Sequence, residues 1–134
     1  MEKSSGLLII KNNKVLLGHP TNASWFGRHS IPKGRLEEGE DELDAAIRET
    51  QEEVGITIKK EEINTEQHFI EYKDGNGKIY KVVYYYIVNV TDYPDILPKE
   101  QLQIEEIDWA GFMTYEEAST RMFWRLKPML DFIK

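Results

Sequence analysis

The 134-residue sequence predicts a sandwich of mixed strands and helices, α/β or α+β in class, built as one domain. Three observations predict it. Short apolar runs rich in Val, Ile, Tyr and Phe, bounded by turn residues, occur in both halves of the chain. Between them, residues 40–55 carry apolar positions at helical spacing and end on a glycine. No linker, repeat or low-complexity tract divides residues 1–134, and this length can bury a core without disulfides or structural metal.

In order along the chain, Gly6–Lys11 and Lys14–His19 read as strands joined at Asn12-Asn13, a hairpin signal. Pro20–Arg28 is a loop. His29–Pro32 is extended, because the residue before a proline avoids the helical region. Lys33–Gly39 reads as a second loop. Asp41–Val54 is a helix stopped by Gly55 at the position where a left-handed residue closes a helix. Glu66–Lys73 and Lys78–Val90 are strands around Asp74-Gly75-Asn76-Gly77, the second carrying the β-prone run Val82–Tyr86. Thr91–Gln101 is a loop with Pro94 and Pro98, and Gln103–Phe112 is extended. Thr114–Ser119 and Arg121–Ile133 are expected as helices, the latter burying Met122, Phe123, Leu126, Met129, Leu130 and Ile133.

Composition excludes several chemistries. There is no cysteine, hence no disulfide scaffold, thiol nucleophile, Cys-ligated zinc or iron–sulfur cluster. His19, His29 and His68 are too scattered for a His-rich metal site. No apolar run spans a bilayer, and the N-terminus lacks the pattern of a secretory signal, so a soluble cytoplasmic protein with no membrane partner is expected. The net charge of −7 is concentrated: residues 34–55 hold nine acids against two bases, and the other residues carry equal numbers of each sign. No basic stripe exists, so nonspecific nucleic-acid binding is not expected. Nothing in the pattern specifies an oligomeric state.

The acidic segment conflicts with helix physics. Leu43, Ala46, Ile47, Thr50 and Val54 share a packing flank. Glu49, Glu52 and Glu53 stand at i, i+3 and i+4 on a neighbouring face, with Glu42 near it. Such pairs cost about 0.2–0.5 kcal/mol each. Glu52 and Glu53 also meet the negative end of the helix dipole, about 0.3–1 kcal/mol each, and no lysine stands at i+4. A solvated acidic face is one reading. The other is a hard-metal site for Mg²⁺ or Mn²⁺, whose charge reverses each of these terms. Violations of local consistency are expected where function demands them. Pro32-Lys33-Gly34 adds a cation just before the helix that could meet a phosphate.

Gly34, five residues, Glu40, seven residues and Arg48-Glu49-Thr50-Gln51-Glu52-Glu53-Val54-Gly55-Ile56 together resemble the Nudix box, G-x5-E-x7-R-E-U-x-E-E-x-G-U with U aliphatic. The match covers residues 34–56 and departs only at Thr50, on the packing flank. The resemblance implies an α/β/α sandwich around a mixed β-sheet. It also implies metal-assisted attack of water on phosphorus in a nucleoside diphosphate-linked substrate. By position, Glu49, Glu52, Glu53 and the Gly34 carbonyl are the implied ligands of Mg²⁺ or Mn²⁺. Arg48 would orient the carboxylates, and Glu40 would brace the loop against the helix. Ser30–Gly34 and Gly39–Ile56 resemble most the diadenosine polyphosphate hydrolase branch. Lys81–Ile87 is similar to its Lys-plus-aromatic strand, and Gln103–Ala118 to its Glu-rich loop and following strand.

Many family members use a further Glu outside the box. Aligning Phe112 with the family's usual Trp selects Glu106; aligning Trp109 selects Glu105 or Glu100. Tyr84 and Tyr86 share one strand face, and Trp25 and Phe26 lie in a loop. Each could stack on a base or pack in the core. The expected function is a pyrophosphohydrolase of dinucleoside polyphosphates such as diadenosine tetraphosphate. The alternatives are hydrolysis of nucleoside triphosphates, nucleotide sugars or 5′-RNA ends, or a non-catalytic binding module, against which the intact acid set argues.

Overall fold

Asn12 and Asn13 both take left-handed backbone, at φ 51° and 60°. They close β1 (Glu2–Lys11) onto β2 (Lys14–Pro20) through the two-residue turn that suits the twist of a hairpin. The computed structural model describes residues 1–134. β1 starts four residues earlier than its apolar pattern indicates, because Ser4 and Ser5 lie buried inside the sheet. The Ser5 hydroxyl donates to the Glu42 carbonyl at 2.6 Å, so these small polar residues are satisfied in the core.

β1 is the centre of a six-stranded mixed sheet. It runs parallel to β5 (Ile79–Asn89), which pairs antiparallel with β4 (His68–Lys73), while β2 pairs antiparallel with β6 (Ile107–Met113). The edge of β1 that faces β2 is forked. Ile10 and Lys11 pair with β2, whereas Ser4–Gly6 pair with a short strand, β3 (Lys33–Arg35). The sequence reads Lys33–Arg35 as loop, because a Lys-Gly-Arg triplet carries no apolar alternation. Backbone pairing alone makes it a strand. Gly6 permits the approach, since a side chain there would overlap the Pro32 carbonyl.

One face of the sheet packs on α1 (Glu42–Val54), the other on α2 (Tyr115–Arg121) and a 3₁₀ segment, Trp124–Phe132. Two hydrophobic cores result. Leu7, Ile9, Leu16, Tyr86 and Val88 meet Ala46 and Val54 of α1, whereas Leu8, Val15, Leu17 and Tyr85 meet Met122, Leu126 and Met129. The predicted helix over Arg121–Ile133 is corrected. α2 ends at Arg121, and the buried residues that follow lie on 3₁₀ turns around Pro128, which has no N–H to donate. The strand expected over Gln103–Phe112 begins only at Ile107, after turns in which the Glu106 and Ile107 amides both donate to the Gln103 carbonyl. No helix is long and apolar enough to cross a membrane.

Candidate active site

α1 is fixed at both ends. The Asp41 carboxylate accepts from the Asp44 amide at 2.8 Å, and Gly55 at φ 70° closes the C-terminus. Thr50, the one departure from the box pattern, is fully buried and donates its hydroxyl to the Ala46 carbonyl at 2.8 Å. The helix therefore absorbs the extra polar atom locally, and the acidic face is undisturbed.

Arg48 organises that face. It donates to both oxygens of Glu40, at 2.8 and 2.9 Å, to Glu49 at 2.9 Å, to both oxygens of Glu52 at 3.1 and 3.2 Å, and to the Arg35 carbonyl at 3.1 Å. Such paired charge-assisted bonds are strong and directional. They raise the Arg48 pKa above its ordinary value and hold the Glu40 carboxyl below its own. Glu40 also accepts from the Glu37 amide at 3.0 Å, tying the loop to the helix. Repulsion at Glu52 is thus relieved by Arg48, one turn earlier, and not by a residue at i+4.

Glu53 lies on the other side of the cluster, where its carboxylate accepts from the Lys33 amide at 3.0 Å. Burial, partly offset by that bond, pushes its pKa up to about 8, and the neighbouring Glu49 and Glu106 charges push the same way. Burial also raises Glu49, against the pull of Arg48. Gly34 faces Glu49 so closely that any side chain at residue 34 would overlap the carboxylate. The site therefore has two desolvated acids, with Arg48 paired to Glu49 but not to Glu53, beside the Gly34 backbone. As they stand, no three acidic or imidazole groups gather closely enough to enclose an ion. The donor chemistry nonetheless suits a hard divalent cation: carboxylate oxygens on adjacent turns, with anionic charge left unbalanced. Of the three acids considered outside the box, Glu106 is the one whose charge acts on Glu53; Glu100 sits on the 3₁₀ turn Lys99–Gln101.

Lys33 connects this cluster to a cavity of about 490 Å³. Its amide serves Glu53, and the residue lines the cavity with Lys81, Arg28, Tyr72, Phe123 and Trp124. Burial and the nearby Lys81 charge lower the Lys33 pKa. Lys81 is held by Glu2 at 2.9 Å and lies 5.4 Å from the Tyr72 ring centre. The cavity thus combines two lysines, one of them paired with Glu2, with aromatic walls.

The sequence reading does not single out Tyr72 or Trp124, and it takes Phe123 for a core residue, whereas all three line the cavity. The period of two would have placed Lys81 on the same sheet face as Val83 and Tyr85, but nothing local shows that the segment after α2 folds over that face. Tyr84 and Tyr86 are not brought to Lys33. They lie on the α1 face, where Tyr86 is buried and accepts from Gln67 at 2.7 Å. Trp25 lines a separate hollow of about 270 Å³ with Trp109 and Ile96, and Phe26 lies under the Arg121 guanidinium at 4.1 Å.

The family model for the NUDIX domain matches residues 2–132. The chain is 37% identical over 78 residues to the asymmetrical bis(5′-nucleosyl)-tetraphosphatase of Caenorhabditis elegans, covering 58% of this chain and 53% of that protein. It is 31% identical over 110 residues to the m7GpppN-mRNA hydrolase of Saccharomyces cerevisiae, covering 80% of this chain and only 10% of the yeast protein's length. Among solved structures, a binary complex of the C. elegans Ap4A hydrolase superposes with a TM-score of 0.73 at 27% identity, over 98% of this chain and 93% of that one. With the box running from β3 through α1 and the matched region spanning the whole sheet, the chain belongs to the Nudix family of hydrolases.

Proposed function

We propose that the protein is a cytoplasmic, metal-dependent pyrophosphohydrolase of dinucleoside polyphosphates, cleaving diadenosine tetraphosphate to ATP and AMP by attack of water on phosphorus. The observation that carries the reading is the double placement of Lys33, with its amide on the acidic cluster while the residue lines an aromatic cavity together with Lys81, whose charge acts on it. A phosphate chain held by the two amines would run directly to the carboxylates. Gly34, Glu49, Glu52 and Glu53 would hold Mg²⁺ or Mn²⁺, which when bound supplies charge to phosphoryl oxygens and acidifies water. Arg48 keeps Glu49 and Glu52 in place, and Glu40 keeps Arg48 in place. Glu106, facing Glu53, is the acid assigned to accept the proton of the attacking water. Tyr72 and Phe123 would flank a base. Similarity to the nematode tetraphosphatase supports this substrate class. Similarity to the yeast mRNA hydrolase over most of the chain supports a second reading, cleavage at a 5′-RNA end.

Product chromatography over diadenosine tetraphosphate, ATP, nucleotide sugars and capped RNA, each with Mg²⁺, separates these readings. Diadenosine tetraphosphate should be preferred in kcat/KM by tenfold or more, about 1.4 kcal/mol in transition-state discrimination. Glu53→Gln should lower turnover by orders of magnitude in a folded protein. Lys33→Met should penalise diadenosine tetraphosphate more than a nucleotide sugar. A tenfold preference for any other class overturns the substrate assignment, and hydrolysis of none overturns the catalytic one.

A further inference from the structure

We propose that Tyr80, Trp124 and Arg125 form a second stacking subsite, continuous with the Lys33–Lys81 cavity, for the distal base of a substrate that carries a base at each end of its phosphates. The proposal rests on the reading of the cavity as a nucleotide polyphosphate site. It starts from a break in sheet register. Tyr72 pairs with Lys81, but Lys73 pairs with Ile79, so Tyr80 is an extra, unpaired residue. Strict alternation would send Tyr80 to the α1 face with Val82 and Tyr84. The bulge re-aims it instead, bringing its ring to 6.1 Å from the Tyr72 ring and 5.7 Å from the Arg125 guanidinium carbon. Re-aiming a side chain beside a site is a recurrent use of bulges.

Arg125 completes the surface. Its guanidinium lies 4.4 Å from the Trp124 ring centre and 5.2 Å from that of Tyr72. Its one polar contact is donation to the Lys73 carbonyl at 3.3 Å, so no carboxylate consumes its charge. Arg125 bridges the two rings, and both stay largely exposed, Trp124 to 62% and Tyr80 to 45%. Trp124 also lines the Lys33–Lys81 cavity, so the two surfaces are continuous. The chemistry selects the occupant. A neutral heteroaromatic ring stacks on indole, phenol and guanidinium alike, and the uncompensated Arg125 charge favours one that trails phosphate.

The test measures dissociation constants of methylene-bridged, non-hydrolysable analogues of diadenosine tetraphosphate and adenosine 5′-tetraphosphate. The wild type should bind the two-base ligand about tenfold more tightly, as one added base stack predicts. Tyr80→Ser should lose that advantage without changing affinity for the one-base ligand, and Tyr80→Phe should keep it. Equal wild-type affinities, or a parallel loss for both ligands in Tyr80→Ser, would overturn the proposal. Hydrolysis of the parent nucleotides is read separately and bears only on the catalytic reading.

Discussion

His29 is fully buried, yet neither of its ring nitrogens has a hydrogen-bond partner. It sits 4.8 Å from the Trp25 ring, 5.0 Å from His19 and 5.8 Å from Trp109, with the Arg121 charge also acting on it. Burial first, and then the His19 charge, lower its pKa to about 4, against an ordinary value of 6.5. The unfolded chain therefore takes up a proton that the folded chain refuses. Stability is fully present above pH 6.5, declines as pH falls, and levels off below pH 4, a loss of roughly 3 kcal/mol. His29→Phe should remove that component. Urea midpoints at pH 7 and pH 4.5 should diverge less in the variant than in the wild type, and parallel slopes would show that His29 is not the titrating group. At this scale the sequence was uneven. It exposed the box glutamates because their spacing breaks helix rules, whereas the isolation of His29 depends on Trp109 and Arg121, remote in sequence, which no local pattern reveals.

The same crowding has a measurable consequence for α1 as an element. Its last turn contains no basic residue, and Glu49 and Glu53 are both desolvated, the first answered only by the shared Arg48 and the second only by the Lys33 amide. A divalent ion bound only by the folded state should stabilise it by about 1.4 kcal/mol at ten times its dissociation constant. The melting temperature should therefore rise with Mg²⁺ and stay lower in NaCl of matched ionic strength. An equal rise in both salts would mean simple screening of a solvated face. Elements with strong local signals were legible: the Asn12-Asn13 hairpin, α1 with its Gly55 stop, and the two strands around Asp74–Gly77. Those held by long-range pairing were not. β3 exists because Ser4–Gly6 offer it a partner, and the segment after α2 abandons α-helical geometry around Pro128 while keeping its helical-looking apolar spacing.

For the molecule as a whole, the two cores share one sheet, since adjacent residues of β1 and β5 alternate between them. Neither can melt without exposing the other. Trp25, Trp109 and Trp124 all lie away from α1, in or beside the core covered by α2 and the 3₁₀ segment, so tryptophan fluorescence reports that side while far-UV dichroism is weighted toward α1. The two signals should give one coincident denaturation curve, and separated midpoints would reveal independent units. The layered class was readable from the mixture of periodicities; the fork at β1, which brings Lys33 to both the acids and the cavity, was not, because it depends on which strands share an edge. That division of labour bears on how such a protein could change over evolutionary time. The acids and Arg48 ride on α1 and its preceding loop, whereas Tyr72, Tyr80, Lys81, Phe123 and Trp124 ride on β4, β5 and the chain after α2. Under the proposed function, drift in the second set would retune the choice of leaving group while the acidic set is inherited intact. Lys33 belongs to both sets, and so is the position where innovation is most constrained.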